Sequence, residues 1–173
     1  IKPYIGVQVE LGITQKGQNL AGLLVFLTDV HALGLKTAQG LIFTEAWYWD
    51  MNDANRAFAK RFSAANRGVY PSMVHAGVYS SVQHYVKAVI ALKSAADGKA
   101  VVEQMKKTKT SDPLFGEGEI RVDGRKIHPM YLFEVKKPEE SKAPWDYYKL
   151  RATIPADQAF RPMSEGKCPL VNG

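Results

Sequence analysis

Short apolar runs and helical patterns alternate along the first part of the chain. Leu20 to Leu27 and Gly40 to Thr44 are mostly apolar, and runs of this length are typical of strands buried on both faces of a parallel sheet. Asp29 follows the first run, where it can cap a short helix. The pattern therefore predicts two parallel strands joined by a short helical crossover.

Three further helices are predicted after the second strand. Asn52 is a favourable N-cap for the first of them, and Gly68 ends it. The second follows Pro71 and is the longest, with an apolar stripe over about five turns. The third runs from about Lys99 to Lys106. The stripe of the longest helix comprises Met73, Val74, Val78, Val82, Tyr85, Val86, Val89 and Ile90, and the third helix is expected to bury Val101, Val102 and Met105.

The hydrophobic period changes to two in the last third of the chain. Asp123-Gly124 separates two alternating segments, which is a strong indication of a β-hairpin. Met130 to Val135 and Tyr147 to Ile154 read as two more strands, joined by a charged loop. We expect a β meander wrapped onto the α/β part. The predicted fold class is α/β, a Rossmann-like lobe with a C-terminal antiparallel β element, in a single domain over residues 1–173.

Composition narrows the class of protein. With 173 residues, 46% of them apolar, the chain is long enough for one sizeable core. The net charge of +6 is spread along the chain, which argues against a nucleic-acid partner because such a partner favours a basic patch. Cys168 is the single cysteine, so no intrachain disulfide and no Cys-x-x-Cys metal site is expected. The longest apolar run is too short for a membrane helix. No signal peptide is recognised at the start of the sequence. Because the chain begins at Ile1 and not at methionine, we expect a processed or truncated product.

Three segments together resemble one receptor family. They are LAGLLVFLTDVHALGLKTAQGLIFTEAWYWDMNDANRAFAKRF, YPSMVHAGVYSSVQHYVKAV and GEGEIRVDGRKIHPMYLFEVKKP. In this order they look like the C-terminal half of periplasmic solute-binding proteins of ABC transporters, of the leucine/isoleucine/valine-binding type. The resemblance covers roughly Leu20 to Leu170.

The resemblance implies a receptor with two α/β lobes that closes on a small solute and delivers it to a membrane permease. The implied solute is a small carboxylate or an amino acid, the implied compartment is the periplasm, and no cofactor or metal is implied. A complete receptor is about twice as long as this chain. We therefore expect the chain to hold the second lobe and the closing segment without the first lobe, and to pair with that lobe or with itself through exposed apolar surface.

The resemblance also implies three zones of solute contact. One is the predicted loop after the first strand, one is the loop after the second strand, and one is the start of the longest helix. In open α/β sheets, ligands bind beyond the carboxyl ends of the strands, where the first two zones lie. The implied ligand-binding residues are Thr28, Asp29, Glu45, Trp47, Tyr48, His75, Gly77 and Tyr79.

Each candidate has an alternative interpretation. The rings of Trp47, Tyr48 and Trp49 either line a ligand cleft or pack in the core. His75, near a helix N-terminus, either hydrogen-bonds a carboxylate or is structural. Two other classes of protein were weighed: a regulatory ligand-sensing domain, and an enzyme using Glu45 and His75 with Asp50. No serine elbow, P-loop or metal motif supports the enzyme.

Overall fold

The computed structural model of the chain describes residues 5–6, 10–167 and 171. Cys168 lies outside the described residues, as do residues 1–4 and 7–9 near the start of the chain. Short 3-10 helices cover Thr14–Lys16, Pro138–Glu140 and Met163–Gly166. The α-helices are α1 (Leu27–Leu33), α2 (Leu35–Ala38), α3 (Asp53–Ala65), α4 (Met73–Leu92) and α5 (Gly98–Lys107). The strands are β1 (Ala21–Gly22), β2 (Ile42–Glu45), β3 (Thr110–Asp112), β4 (Gly116–Ile120), β5 (Lys126–Ile127), β6 (Met130–Val135) and β7 (Tyr148–Ile154).

The chain divides into two compact units, and a single domain over residues 1–173 stays a prediction. The first unit comprises Ile1–Met73 and Met130–Thr153, and the second comprises Val74–Pro129 and Ile154–Gly173. The chain leaves the first unit within α4, returns to it at β6 and leaves it again at the end of β7. Each unit is therefore built from two separate stretches of sequence.

The first unit contains a four-stranded sheet in the order β1-β2-β6-β7. β1 pairs in parallel with β2, with Ala21 opposite Ile42. β6 pairs antiparallel with β2, with Phe43 opposite Phe133. The predicted parallel pair and the antiparallel addition are thus confirmed. Phe43, Phe133 and Tyr148 lie in the core of this unit.

The first predicted strand is much shorter than expected. It covers only Ala21–Gly22, because α1 already begins at Leu27. The backbone N–H of Phe26 donates to Asp29 Oδ2 at 2.9 Å, so Asp29 stabilises the start of α1 from its third position. The prediction that Thr28 and Asp29 form a loop is wrong, because both lie in the first turn of α1.

Side-chain caps begin α3 and α5 close to the predicted positions. Asn52 Oδ1 accepts from the N–H of Asn55 at 2.9 Å, as predicted. Asp97 Oδ1 accepts from the N–H of Lys99 at 2.9 Å. In α5, Val101 is buried but Val102 is half exposed, because adjacent helical residues lie about 100° apart. The expectation that Val102 faces inward is therefore wrong.

The second unit contains a separate sheet in the order β3-β4-β5. β4 and β5 form the predicted hairpin, and Gly124 at its turn has φ +85°, a conformation that favours glycine. β6 and β7, in contrast, join the sheet of the first unit. The expected single meander is therefore wrong: the last third of the chain supplies strands to two different sheets.

The longest predicted helix is present as α4, but its apolar stripe is exposed. Its buried residues form a different row, spaced four residues apart: Ala76, Ser80, His84 and Ala88. An apolar stripe ordinarily faces a core. In α4 of this chain the polar and small residues face inward instead.

Candidate functional site

The aromatic run after β2 packs into the first unit. The Trp47 ring meets Phe58 edge-on, with centroids 5.9 Å apart, and Tyr48 stacks on Tyr148 at 4.6 Å. Trp49 is partly buried and packs edge-on against Tyr70 at 4.8 Å. Trp47 and Tyr48 are both buried. Of the two interpretations of this run, the structure supports core packing for these two rings.

The backbone carbonyl of Trp145 holds the aromatic run in place. It accepts hydrogen bonds from the Tyr48 hydroxyl at 3.0 Å and from Trp49 Nε1 at 2.8 Å. The Tyr48 hydroxyl in turn accepts from the N–H of Tyr147 at 3.1 Å. Burial raises the pKa of Tyr48, so the hydroxyl stays protonated and remains a donor. Trp145 was missed in the sequence analysis, since its φ of +71° and its distant partners leave no local pattern.

Glu45 is a buried acid at the end of β2. Its exposed fraction is 1%, and its Oε1 accepts from the Tyr148 hydroxyl at 2.9 Å. Burial raises the pKa of Glu45 from 4.5 to about 8, against the opposing hydrogen bond from Tyr148, and the negative charge of Asp29 raises it further. Glu45 is therefore largely protonated and neutral at pH 7.

Asp29 and Glu45, predicted from separate segments, are brought together in the first unit. Asp29 lies near enough for its charge to raise the pKa of both Glu45 and Tyr148. Thr28 is exposed, whereas Asp29 is partly buried. Among the ion pairs of residues 5–6, 10–167 and 171, none includes Asp29. Within the described part of the chain, no cationic side chain therefore pairs with the Asp29 carboxylate.

A stacked aromatic contact lies on the same helix as Asp29. The His31 ring stacks on Trp145 with centroids 3.9 Å apart and planes 12° apart. Its Nδ1 is 2.7 Å from the Tyr147 hydroxyl. The sequence did not predict this contact, because no local spacing indicates it.

His75, Gly77 and Tyr79 lie in the first turns of α4. His75 and Tyr79 are four residues apart and share one side of the helix, whereas Gly77 is about 200° away from each. The Tyr79 hydroxyl accepts from Gln83 Nε2 at 2.7 Å. Apart from Met73, α4 belongs to the second unit. The three predicted residues of this zone therefore do not share one face of their helix.

The acid/base set considered for an enzyme has other partners. Asp50 Oδ1 pairs with Arg56 Nη1 at 3.0 Å, and Glu45 is sealed in the core. Within the described part of the chain, no three His, Cys, Asp or Glu side chains are grouped so that they could hold a metal ion. None of the helices described has the length and hydrophobicity to cross a bilayer.

The comparisons with known proteins show the family. Residues 8–142 match the family model described as "Periplasmic binding protein", so this chain belongs to that family. It is a family of solute-binding proteins and not of enzymes. The predicted fold class and the predicted family are both confirmed. Among the curated proteins, none matches.

Solved structures of the same fold cover nearly the whole chain. A periplasmic binding protein from Burkholderia mallei is 50% identical, with a TM-score of 0.89 over 97% of this chain and 44% of that protein. A branched-chain amino acid ABC transporter periplasmic ligand-binding protein from Burkholderia xenovorans is 42% identical. Its TM-score is 0.85, over 96% of this chain and 44% of that protein. A Rhodopseudomonas palustris solute-binding protein in complex with benzoate is 20% identical, with a TM-score of 0.68 over 88% of this chain and 40% of that protein. This similarity shows the fold alone. This chain thus spans less than half of the length of each.

Proposed function

We propose that this chain is part of the solute-binding component of an ABC importer of the branched-chain amino acid type. It binds a small carboxylate or amino acid in the cleft of a two-lobe receptor and delivers it, in the periplasm, to a membrane permease. Membership of the family supports the proposal, as does 42% identity to the Burkholderia xenovorans ligand-binding protein. The observation that carries it for this chain is the uncompensated carboxylate of Asp29 beside the neutral Glu45.

Asp29 is suited to bind the ammonium group of an amino acid. Its Oδ2 accepts from the backbone at the start of α1, which holds the carboxylate in place, and Thr28 beside it offers an exposed hydroxyl. Glu45, being protonated, does not compete for the same cation. A carboxylate fixed in this way gives a charge-assisted hydrogen bond to an ammonium group.

The aromatic residues have a positioning role in this proposal. Trp47 and Tyr48, which were predicted to contact solute, are buried in the first unit. Tyr48 and Trp49 both donate to the carbonyl of Trp145 and so hold the loop after β2 against the loop that precedes β7. Solute contact by His75, Gly77 and Tyr79 stays a prediction.

The test is a titration of the chain with leucine, valine and benzoate, followed by calorimetry and by thermal melting. A solute that binds only the folded chain raises the melting temperature. The key variant is Asp29→Asn, which keeps an oxygen for the Phe26 N–H but loses the charge. The matched control is Asp53→Asn, at a fully exposed aspartate on α3.

We expect Asp29→Asn to weaken leucine and valine binding by tenfold or more, because the ammonium group loses its charged partner. Benzoate, which has no ammonium group, should bind both forms equally, and Asp53→Asn should bind like the wild type. If no amino acid or carboxylate binds, the proposed function is wrong. If amino acids bind but Asp29→Asn leaves their affinity unchanged, the role of Asp29 is wrong.

A further inference from the structure

A polar surface pocket lies at the turn of the β4–β5 hairpin in the second unit. Its volume is about 380 Å³, which is within the range of about 300–1,000 Å³ for small-molecule sites. None of its described lining residues belongs to the eight that are predicted to contact solute. We call it the hairpin pocket, and it is lined by Asp123, Gly124, Arg125, Lys126, His128 and Phe160.

Arg121 ties two walls of the hairpin pocket together. Its Nε and Nη2 donate to the two carboxylate oxygens of Asp123 at 3.0 and 2.5 Å, which holds the turn. Its Nη1 donates to the Arg161 carbonyl oxygen at 3.1 Å, next to Phe160 in the chain. One guanidinium thus fixes both the turn and the segment that carries Phe160. A pocket that is held in this way before a ligand arrives loses less entropy on binding.

One charged side chain of the pocket lining has no oppositely charged partner among the described residues. The hydrogen bond from Arg121 lowers the pKa of Asp123 to about 2, so Asp123 is ionised at pH 7 and is balanced by Arg121. Lys126 Nζ is balanced by Asp112, whose Oδ2 lies 3.0 Å away. No ion pair of the described chain includes Arg125, and an arginine stays protonated in proteins. The hairpin pocket therefore has one uncompensated positive charge.

The Arg125 guanidinium is oriented by an aromatic ring. Arg125 is exposed, and its guanidinium carbon lies 5.5 Å from the centroid of the Phe160 ring. Such a cation–π contact uses the face of the planar group. The N–H donors at its edge remain for a ligand, and they form a fork that matches two oxygens of a phosphate or a carboxylate group.

The behaviour of His128 indicates a positive potential in the hairpin pocket. Burial lowers the pKa of His128, and the charges of Lys126 and Arg125 lower it further, against the opposing effects of the Pro129 carbonyl and of Asp112. Each of the two cations acts on this ring more strongly than Asp112 does. An anion beside the ring would be stabilised by the same two charges.

We propose that the hairpin pocket binds a small molecule with an oxyanionic group, a phosphate or a carboxylate, which the Arg125 fork holds. The pocket is larger than the anionic group itself, which leaves room for a small organic part of the same molecule. None of the residues predicted to contact solute takes part, so the proposal does not depend on the proposed function.

The test titrates the isotopically labelled chain with inorganic phosphate and, separately, with acetate, and follows the amide NMR signals at constant ionic strength. Arg125→Gln removes the charge and the fork, whereas Arg125→Lys keeps the charge without the fork. The matched control is Arg61→Gln on α3, because Arg61 is also exposed and also outside the ion pairs of the described residues. Thermal melting checks that each variant is folded.

We expect saturable shifts of the Gly124, Arg125 and Phe160 amide signals with at least one of the two anions, and the tighter of the two identifies the preferred group. Arg125→Gln should weaken that binding tenfold or more and Arg125→Lys at least severalfold, because the ligand loses a charged, two-pronged partner. Arg61→Gln should leave it unchanged.

Three results would overturn the proposal. One is the absence of saturable shifts at the hairpin with both anions. Another is an equal loss in Arg125→Gln and Arg61→Gln, since the anion would then respond only to net charge. The third is full binding in Arg125→Lys, which would rule out the fork. Leucine and valine binding are measured separately with Asp29→Asn, so failure of the proposed function and failure of the hairpin pocket are distinguishable.

Discussion

The Tyr148 hydroxyl donates a hydrogen bond to Glu45 Oε1 at 2.9 Å in the core of the first unit. The two residues are 103 positions apart and lie at the ends of strands that are not neighbours in the sheet. Burial, helped by the negative charge of Asp29, raises the pKa of Glu45 to about 8 although this hydrogen bond lowers it, so Glu45 is a neutral acid at pH 7. The chemistry of the candidate site thus depends on a residue from the last strand of the sheet.

The stability of the chain should fall as the pH rises from about 4.5 to about 8. In the folded state the pKa of Glu45 is about 8, whereas its ordinary value is 4.5. Below 4.5 both states hold the proton and no penalty exists. Between the two values the unfolded state releases the proton and the folded state retains it, so unfolding becomes easier by about 1.4 kcal/mol per pH unit.

Glu45→Gln should remove this dependence, because an amide accepts from Tyr148 without titrating. Denaturant unfolding at pH 5, 6, 7 and 8 measures it, with the exposed Glu119→Gln as control. A slope in Glu45→Gln as steep as in the wild type would show that another group is responsible.

The two side-chain donors to the Trp145 carbonyl should be coupled energetically. Tyr48→Phe removes one of the two side-chain donors and one of the two acceptors of the Tyr147 N–H, which also donates to the Trp145 carbonyl, so we expect a loss of about 1–3 kcal/mol in the free energy of unfolding. Trp49→Phe removes the other donor. The double variant leaves the carbonyl with only the Tyr147 N–H as donor and should lose more than the sum of the two, by about 0.5 kcal/mol or more. Urea unfolding followed by circular dichroism checks this, and strictly additive losses would contradict it.

Lys126→Met should destabilise the second unit in a pH-dependent way. Lys126 Nζ lies 3.0 Å from Asp112 Oδ2 and 2.6 Å from Ser80 Oγ. Burial by itself would raise the pKa of Asp112, but hydrogen bonds from Ser80, the Phe115 N–H and Lys126 outweigh burial and lower it. The stability from Asp112 is therefore present above its usual pKa of 3.8 and is lost as the pH falls below that value.

We expect the variant to lose about 1–3 kcal/mol at pH 7 and the difference from wild type to shrink towards pH 3, where Asp112 is increasingly protonated in both proteins. Denaturant titrations at both pH values test this, with the exposed Lys60→Met as control. A loss that stays constant across this pH range would mean that the lysine stabilises by packing alone, for example through its 4.5 Å approach to the Phe115 ring.

A solute should bind this chain more weakly than it binds a full-length relative. Closed sites enclose about 70–90% of a small ligand, whereas this chain spans 44% of the Burkholderia mallei receptor. Calorimetry of the same amino acid with both proteins measures the difference. Equal affinities would contradict the idea that this chain holds only part of the site.

Local features of this protein could be predicted from sequence because neighbouring residues decide them. Asn52 caps α3 through an N–H three residues away. Asp123-Gly124 turns the hairpin because glycine tolerates the positive φ there. The family could be recognised because several such segments follow one another in a characteristic order. The parallel pairing of β1 with β2 also followed from two apolar runs and a short crossover.

Tertiary structure alone decided the burial of Glu45, the anchoring of the aromatic run and the outward face of α4. The partners of Glu45 and of Tyr48 are Tyr148 and Trp145, about one hundred residues away, and no periodicity links them. The apolar pattern of α4 was read correctly, but which side is buried depends on Asp112 and the Met105 carbonyl, which hold Ser80 and His84 inward. Hydrophobic spacing locates an apolar face along a helix. What covers that face is determined by the surfaces that reach it in three dimensions.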